Sequence, residues 1–103
     1  MSSRNEIVTV NIKIRPLGVF RQLIEKDQIA MKLSKATIRD VVQALAESMS
    51  LEARRLLIDP ELNDPRPNTL ILVNGREISA LNGLETEVSD GDEVTFIPVA
   101  HGG

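Results

Sequence analysis

The chain has 103 residues, of which 42% are hydrophobic and 26% charged, with a formal net charge of −3. That length suits one domain spanning residues 1–103 and leaves too little for two cores; no apolar run approaches a bilayer span, and no basic segment leads into an apolar one as a secretory signal requires. A soluble, cytoplasmic protein is expected. The eight arginines and four lysines are dispersed, so no basic stripe for nucleic acid is visible, and with no cysteine there is no disulfide, thiolate metal site or internal sulfur nucleophile. The one histidine, His101, is third from the end, and Tyr and Trp are absent; a self-contained enzyme is not expected.

From Ile7 to Arg15 the residues alternate, with Val8, Val10, Ile12 and Ile14 on one face and Thr9, Asn11, Lys13 and Arg15 on the other. This predicts a half-buried first strand. Pro16 and Gly18 break it, and Phe20, Leu23 and Ile24 predict a tight, packed corner rather than a solvated loop. Alternation resumes at Gln28, where Ile29, Met31 and Leu33 predict a second strand hairpinned to the first. Thr37 and Asp40 have the spacing of a reciprocal helix cap, and Ile38, Val41, Val42, Leu45 and Met49 follow at helical intervals, so a helix over about 37–49 covers the sheet.

From Ser50 to Asn68 an irregular connector is expected, because Asp59-Pro60, Asp64-Pro65 and Arg66-Pro67 each disfavour helix before the proline. Leu70 to Val73 predicts a short central strand, and Asn74-Gly75 the tight turn after it. Asp90-Gly91-Asp92 signals another turn, and Val94 to Val99 a last strand from which Pro98 removes one donor. A flexible tail is expected from about residue 99. Two strands, a helix and further strands describe an α+β grasp, a mixed sheet crossed by one main helix.

Asn74-Gly75, the step Gly91-Asp92-Glu93-Val94, a proline late in the last strand and the terminal Gly102-Gly103 occur together in order. In this the chain resembles the MoaD/ThiS sulfur carriers and the ubiquitin-related modifiers, which have a ubiquitin-like β-grasp fold. The opening through Pro16-Leu17-Gly18, Phe20, Leu23 and Leu33 is also similar, and the resemblance covers nearly the whole chain. Pro98-Val99-Ala100 resembles the small subunit of molybdopterin synthase. His101-Gly102-Gly103, and the stretch from Leu57 through Pro67 into Leu70–Asn74, resemble the modifier branch or its archaeal relatives.

The resemblance implies a carrier activated at Gly103 by a partner adenylating enzyme of the ubiquitin-activating type. ATP is used by that enzyme, and no cofactor is held by this chain. Further partners implied are a molybdopterin-synthase large subunit, a tRNA-thiolating enzyme or lysine-bearing target proteins. The chemistry fits the residues: the Gly103 carboxylate is ionised at neutral pH and is a poor acyl electrophile until adenylated. Glycines at 102 and 103 allow a narrow channel to close around the tail, since they lack Cβ atoms. His101 reads either as a solvated tail histidine or as a residue that binds the activating enzyme, and only the binding role makes it a candidate site residue.

A second candidate site comes from strand parity. With Val94 and Phe96 facing the helix, Ile97 faces outward; with Leu70 and Leu72 taken as inward, Ile71 and Val73 face outward. An aliphatic patch of Ile71, Ile97 and Val99 beside the tail would be a docking surface, unless the 50–68 connector covers it. Glu85, Glu87, Asp90, Asp92 and Glu93 form an acidic cluster best read as a solvated loop. Asp59, Glu61 and Asp64 lack the spacing of a calcium loop, and no metal is expected. Lys13, Lys26, Lys32 and Lys35 read as ordinary surface lysines.

Overall fold

The computed structural model describes residues 9–99. β1 (Thr9–Pro16) and β2 (Ile29–Ser34) form an antiparallel hairpin in which Ile12 lies opposite Met31. Between them the expected corner is a short helix, α1 (Val19–Ile24), with Phe20 buried beneath it. α2 (Ile38–Glu47) and α3 (Leu51–Leu57) follow, then β3 (Thr69–Val73), β4 (Arg76–Glu77), two 3-10 turns at Ile78–Ala80 and Gly83–Glu85, and β5 (Glu93–Pro98). The sheet order is β2-β1-β5-β3-β4. β5 runs parallel to β1 and antiparallel to β3, so the sheet is mixed and the last strand is central. This is the α+β grasp that the sequence predicts.

α2 forms where the capping residues call for it. The Thr37 amide donates to Asp40 Oδ2 at 2.9 Å and the Asp40 amide to Thr37 Oγ1 at 3.5 Å, the two halves of a capping box. Its inner stripe of Ile38, Val41, Val42, Leu45 and Ala46 is buried, as is Met49 just past its end. These pack into one core with Val10, Ile12 and Ile14 of β1 and Val94 and Phe96 of β5. Met31 packs at the margin of that core, half-buried on the outer strand, while Ile7 and Val8 lie outside the described residues.

The irregular connector expected over 50–68 is a correction. Ser50 caps α3 by accepting from the Ala53 amide at 3.1 Å, and Ala53 and Leu57 are buried in the core. From α3, Arg54 Nε donates to the Ala46 carbonyl at 3.0 Å, which also accepts from the Met49 amide at 3.1 Å, and so ties α3 to the end of α2. Beyond α3 the chain is stitched by Asp59, whose Oδ1 accepts from the amides of Glu61 and Leu62 at 2.9 and 3.0 Å. Arg66 grips the Asp64 carboxylate with both Nε and Nη2.

Candidate functional site

Gly102, Gly103 and His101 lie outside the described residues, but the path that leads to them is built in detail. β5 is clamped at its start. Asn74, in the left-handed conformation at φ 50°, accepts from the Glu93 amide through Oδ1 at 2.9 Å and donates to Asp92 through Nδ2 at 2.9 Å. Its own amide donates to the Glu93 carbonyl at 2.8 Å. Asp90 accepts from the backbone amide of Asn11 at 2.7 Å and from its side chain at 3.0 Å, which ties the preceding turn to β1. Those two hydrogen bonds, the backbone one first, hold the Asp90 carboxyl below the usual carboxylate range.

The exit of β5 is fixed as firmly. The Leu17 amide continues the parallel ladder to the Phe96 carbonyl at 3.0 Å, and the Val99 amide donates to the Asn68 carbonyl at 2.9 Å. Gly18, at φ +57°, lies against the Pro98 ring so closely that a Cβ there would stand 2.8 Å from Pro98 Cγ. The proline that removes a ladder donor therefore also wedges the strand end against the β1–α1 corner.

Beside this exit the outward face of the sheet is apolar. Leu70 pairs directly with Ile97 across β3 and β5, and Leu72 with Thr95. Leu70 and Val99 are exposed, and Leu72 and Ile97 are half-buried. The placement of Ile97 agrees with the parity argument. The placement of Ile71 does not: it is 1% exposed, and Val73 is buried with it. β3 is turned over relative to the expectation, because Thr69, Ile71 and Val73 face the core, where the Thr69 hydroxyl donates to the Leu57 carbonyl at 3.1 Å. The patch exists, with Leu70 and Leu72 in the places assigned to Ile71 and Val73. The sequence signal that could have found them is Thr69, a β-branched polar residue that the α3 carbonyl satisfies, but it is intelligible only once α3 is known.

The acidic cluster divides among structural roles. Glu85 pairs with Arg39 at 2.8 Å, Asp92 accepts from the Ser89 amide at 2.7 Å as well as from Asn74, and Asp90 is held by Asn11. Asp64 is held below the usual range chiefly by its side-chain hydrogen bond from Arg66. Lys13, Lys26, Lys32 and Lys35 are all exposed. Among the described residues no cluster of His, Cys, Asp and Glu is placed to hold a metal ion, and no helix is long and apolar enough to cross a membrane.

A helix gripped by a mixed sheet whose last strand is central defines a ubiquitin-like β-grasp fold. The chain belongs to the ThiS family, whose model matches residues 17–103. Small archaeal modifier protein 3 of Haloferax volcanii is 32% identical over 95 residues, covering 91% of this chain and all of the relative. A putative sulfur carrier protein of Archaeoglobus fulgidus is 33% identical over 81 residues, covering 78% of this chain and 89% of that protein. In three dimensions the solution structure of the Haloferax volcanii protein HVO 2177 superposes with a TM-score of 0.78 at 28% identity, over 96% of this chain and 92% of that one. The protein is thus a small ubiquitin-like modifier or sulfur carrier.

Proposed function

We propose that the working group is the Gly103 carboxylate and that a separate ATP-using enzyme activates it. A carboxylate oxygen attacks the α-phosphate of ATP and pyrophosphate leaves, giving an acyl adenylate whose AMP is a good leaving group. A persulfide on a partner then attacks the acyl carbon and displaces AMP, and a second thiol cleaves the resulting acyl disulfide to release the thiocarboxylate. A cysteine thiolate in place of the persulfide gives a thioester, from which a lysine amine forms an isopeptide bond. Since this chain has no cysteine, every sulfur in the sequence of steps belongs to a partner.

The observation that carries this reading is the fixed exit of β5 beside Leu70, Ile97 and Val99, continued in the sequence by His101-Gly102-Gly103. An exposed aliphatic strip next to a strand end gives an activating enzyme a surface to hold while the glycines enter its nucleotide site, and the enzyme contacts His101, which precedes the glycines in the sequence, on the way. The likeness to a modifier supports lysine conjugation or tRNA thiolation, and the likeness to a sulfur carrier, together with Pro98-Val99-Ala100, supports the small-subunit role in molybdopterin synthesis. A non-conjugated adaptor would use the sheet face alone.

Intact mass spectrometry separates these outcomes. Incubated with ATP alone the protein keeps its mass; with its activating enzyme it gains AMP, and with a persulfide source the difference between sulfur and oxygen. Gly103→Phe abolishes both products. Protein isolated from its own cells with no adenylate, thiocarboxylate or lysine linkage would leave the adaptor, which alone survives deletion of Gly102 and Gly103.

A further inference from the structure

Two of the six asparagines precede glycine, at Asn74-Gly75 and Asn82-Gly83. Both glycines have positive φ angles, 85° and 60°, and neither glycine amide donates a hydrogen bond among the described residues. The contrast between the two steps lies in the asparagine side chains. Asn74 is held at both ends of its side-chain amide, Oδ1 accepting from the Glu93 amide and Nδ2 donating to Asp92 Oδ1, each at 2.9 Å. Asn82 is exposed, and its side chain makes no hydrogen bond among the described residues. Only its backbone is held, the amide donating to Thr86 Oγ1 at 3.0 Å and the carbonyl accepting from the Glu85 amide at 3.1 Å.

We propose that Asn82-Gly83 is a site of spontaneous deamidation and that the clamp on Asn74 protects the other step. Glycine has no Cβ to keep its backbone nitrogen away from the preceding side chain. The Gly83 nitrogen gives up its proton to hydroxide and attacks Asn82 Cγ; the new N–Cγ bond closes a succinimide, and the Cγ–Nδ2 bond breaks with release of ammonia. Water then opens the ring. Cleavage of the N–Cγ bond leaves aspartate, and cleavage of the bond to the main-chain carbonyl carbon leaves isoaspartate, in which the main chain runs through the former side chain. No oxidant, reductant or cofactor enters. Ring closure at Asn82 loosens one exposed turn bond, whereas at Asn74 it breaks both side-chain hydrogen bonds, one of them to a carboxylate. That difference slows the step at Asn74 by about tenfold or more. Gly83 lines a cavity of about 200 Å³ together with Leu70 and Val99 of the outer-face patch, and Arg66 Nη1 lies 3.8 Å from where a Gly83 Cβ would stand. Isoaspartate at position 82 lengthens the main chain by one methylene at that wall and adds one negative charge to a chain of net −3. The chemistry does not depend on what happens at Gly103.

The test holds the full chain, folded, in mildly alkaline buffer made with heavy-oxygen water, beside a sample unfolded in guanidinium chloride. Trypsin cuts after Arg76 and so places the two steps on different peptides for mass mapping. In the folded chain label is expected at residue 82 about tenfold or more faster than at residue 74, partly as isoaspartate that an isoaspartyl methyltransferase detects. In the unfolded chain the two steps react at similar rates. Asn82→Gln removes the fast site, and Asp92→Ala, which frees Asn74 Nδ2, speeds labelling at residue 74 while circular dichroism shows the fold kept. The proposal is overturned if residue 82 of the folded chain takes up no label while the unfolded chain deamidates there, or if residues 74 and 82 react equally fast in the folded chain. A folded Asp92→Ala variant with an unchanged rate at residue 74 would equally overturn the protective clamp.

Discussion

Gly18→Ala tests whether the exit of β5 is held by the contact described above. Gly18 has φ 57° and ψ −133°, a backbone conformation essentially reserved for glycine. Forcing alanine into it costs about 1–3 kcal/mol. The new methyl would also stand 2.8 Å from Pro98 Cγ and 3.2 Å from Cδ, and Pro98 is a rigid ring whose backbone is paired with Thr69 of β3. Overpacking of that kind costs a further ~1–3 kcal/mol, so a total of about 2–6 kcal/mol is expected. Gly91 is the internal control: at φ +90° it carries a backbone cost, but nothing lies within 4 Å of the position its Cβ would take. Urea unfolding of Gly18→Ala, Gly91→Ala, Pro98→Ala and the double variant Gly18→Ala/Pro98→Ala separates the two contributions. The double variant should lose less than the sum of the singles by about 1 kcal/mol or more, the coupling expected of groups in direct contact. Equal losses for Gly18→Ala and Gly91→Ala, with strict additivity in the double variant, would refute the wedge.

Leu45 is 2% exposed at the centre of the stripe of α2, so Leu45→Ala should lower stability by about 2–5 kcal/mol in the same urea assay, and an unchanged midpoint would remove it from the core. Leu70→Asp and Ile97→Asp should fold and yet slow adenylation by the activating enzyme, whereas Ile71→Asp, which buries an unpaired carboxylate, should not fold. Circular dichroism and an adenylation assay together check that contrast, and a folded Ile71→Asp would contradict the observed face of β3. Asp64 and Asp90 have folded pKa values below the usual carboxylate range, through hydrogen bonds from Arg66 and Asn11 respectively. A depressed carboxyl adds stability that is complete above the unfolded pKa of about 4 and is lost as pH falls from there through the folded value. Asp64→Asn/Asp90→Asn should therefore flatten the fall in thermal midpoint on acidification, and an unaltered acid limb would assign that fall to other groups.

Much of the fold was legible because its clearest signals are local. Thr37 and Asp40 fix the start of α2 within their own turn, the alternation from Val10 to Ile14 matches the observed burial residue by residue, and Asn74-Gly75 takes the positive φ angles that its composition predicts, 50° and 85°. α3 was hidden for a physical reason. Of its apolar residues, Leu51 and Leu56 are exposed while Ala53 and Leu57 are buried, so the helical stripe is masked by leucines on the wrong face, and the prolines at 60, 65 and 67 forbid helix only after α3 has ended.

β3 was misread for a related reason that bears on the candidate site. Alternation reveals which face of a strand is buried only when the other face is polar, and Leu70-Ile71-Leu72-Val73 has no polar position to break the tie. Its facing is decided by contacts distant in sequence, the Thr69 hydroxyl on the Leu57 carbonyl and the pairing of Leu70 with Ile97. Had Leu70 and Leu72 been Thr or Lys, the register would have been plain and the sheet would have kept its stability, since neither side chain belongs to the core. Their apolar character is therefore not needed to fill the core. It lies on the face beside the end of β5, the surface that the proposed function assigns to an activating enzyme, so the residues that obscure the fold in the sequence are those on which that proposal rests.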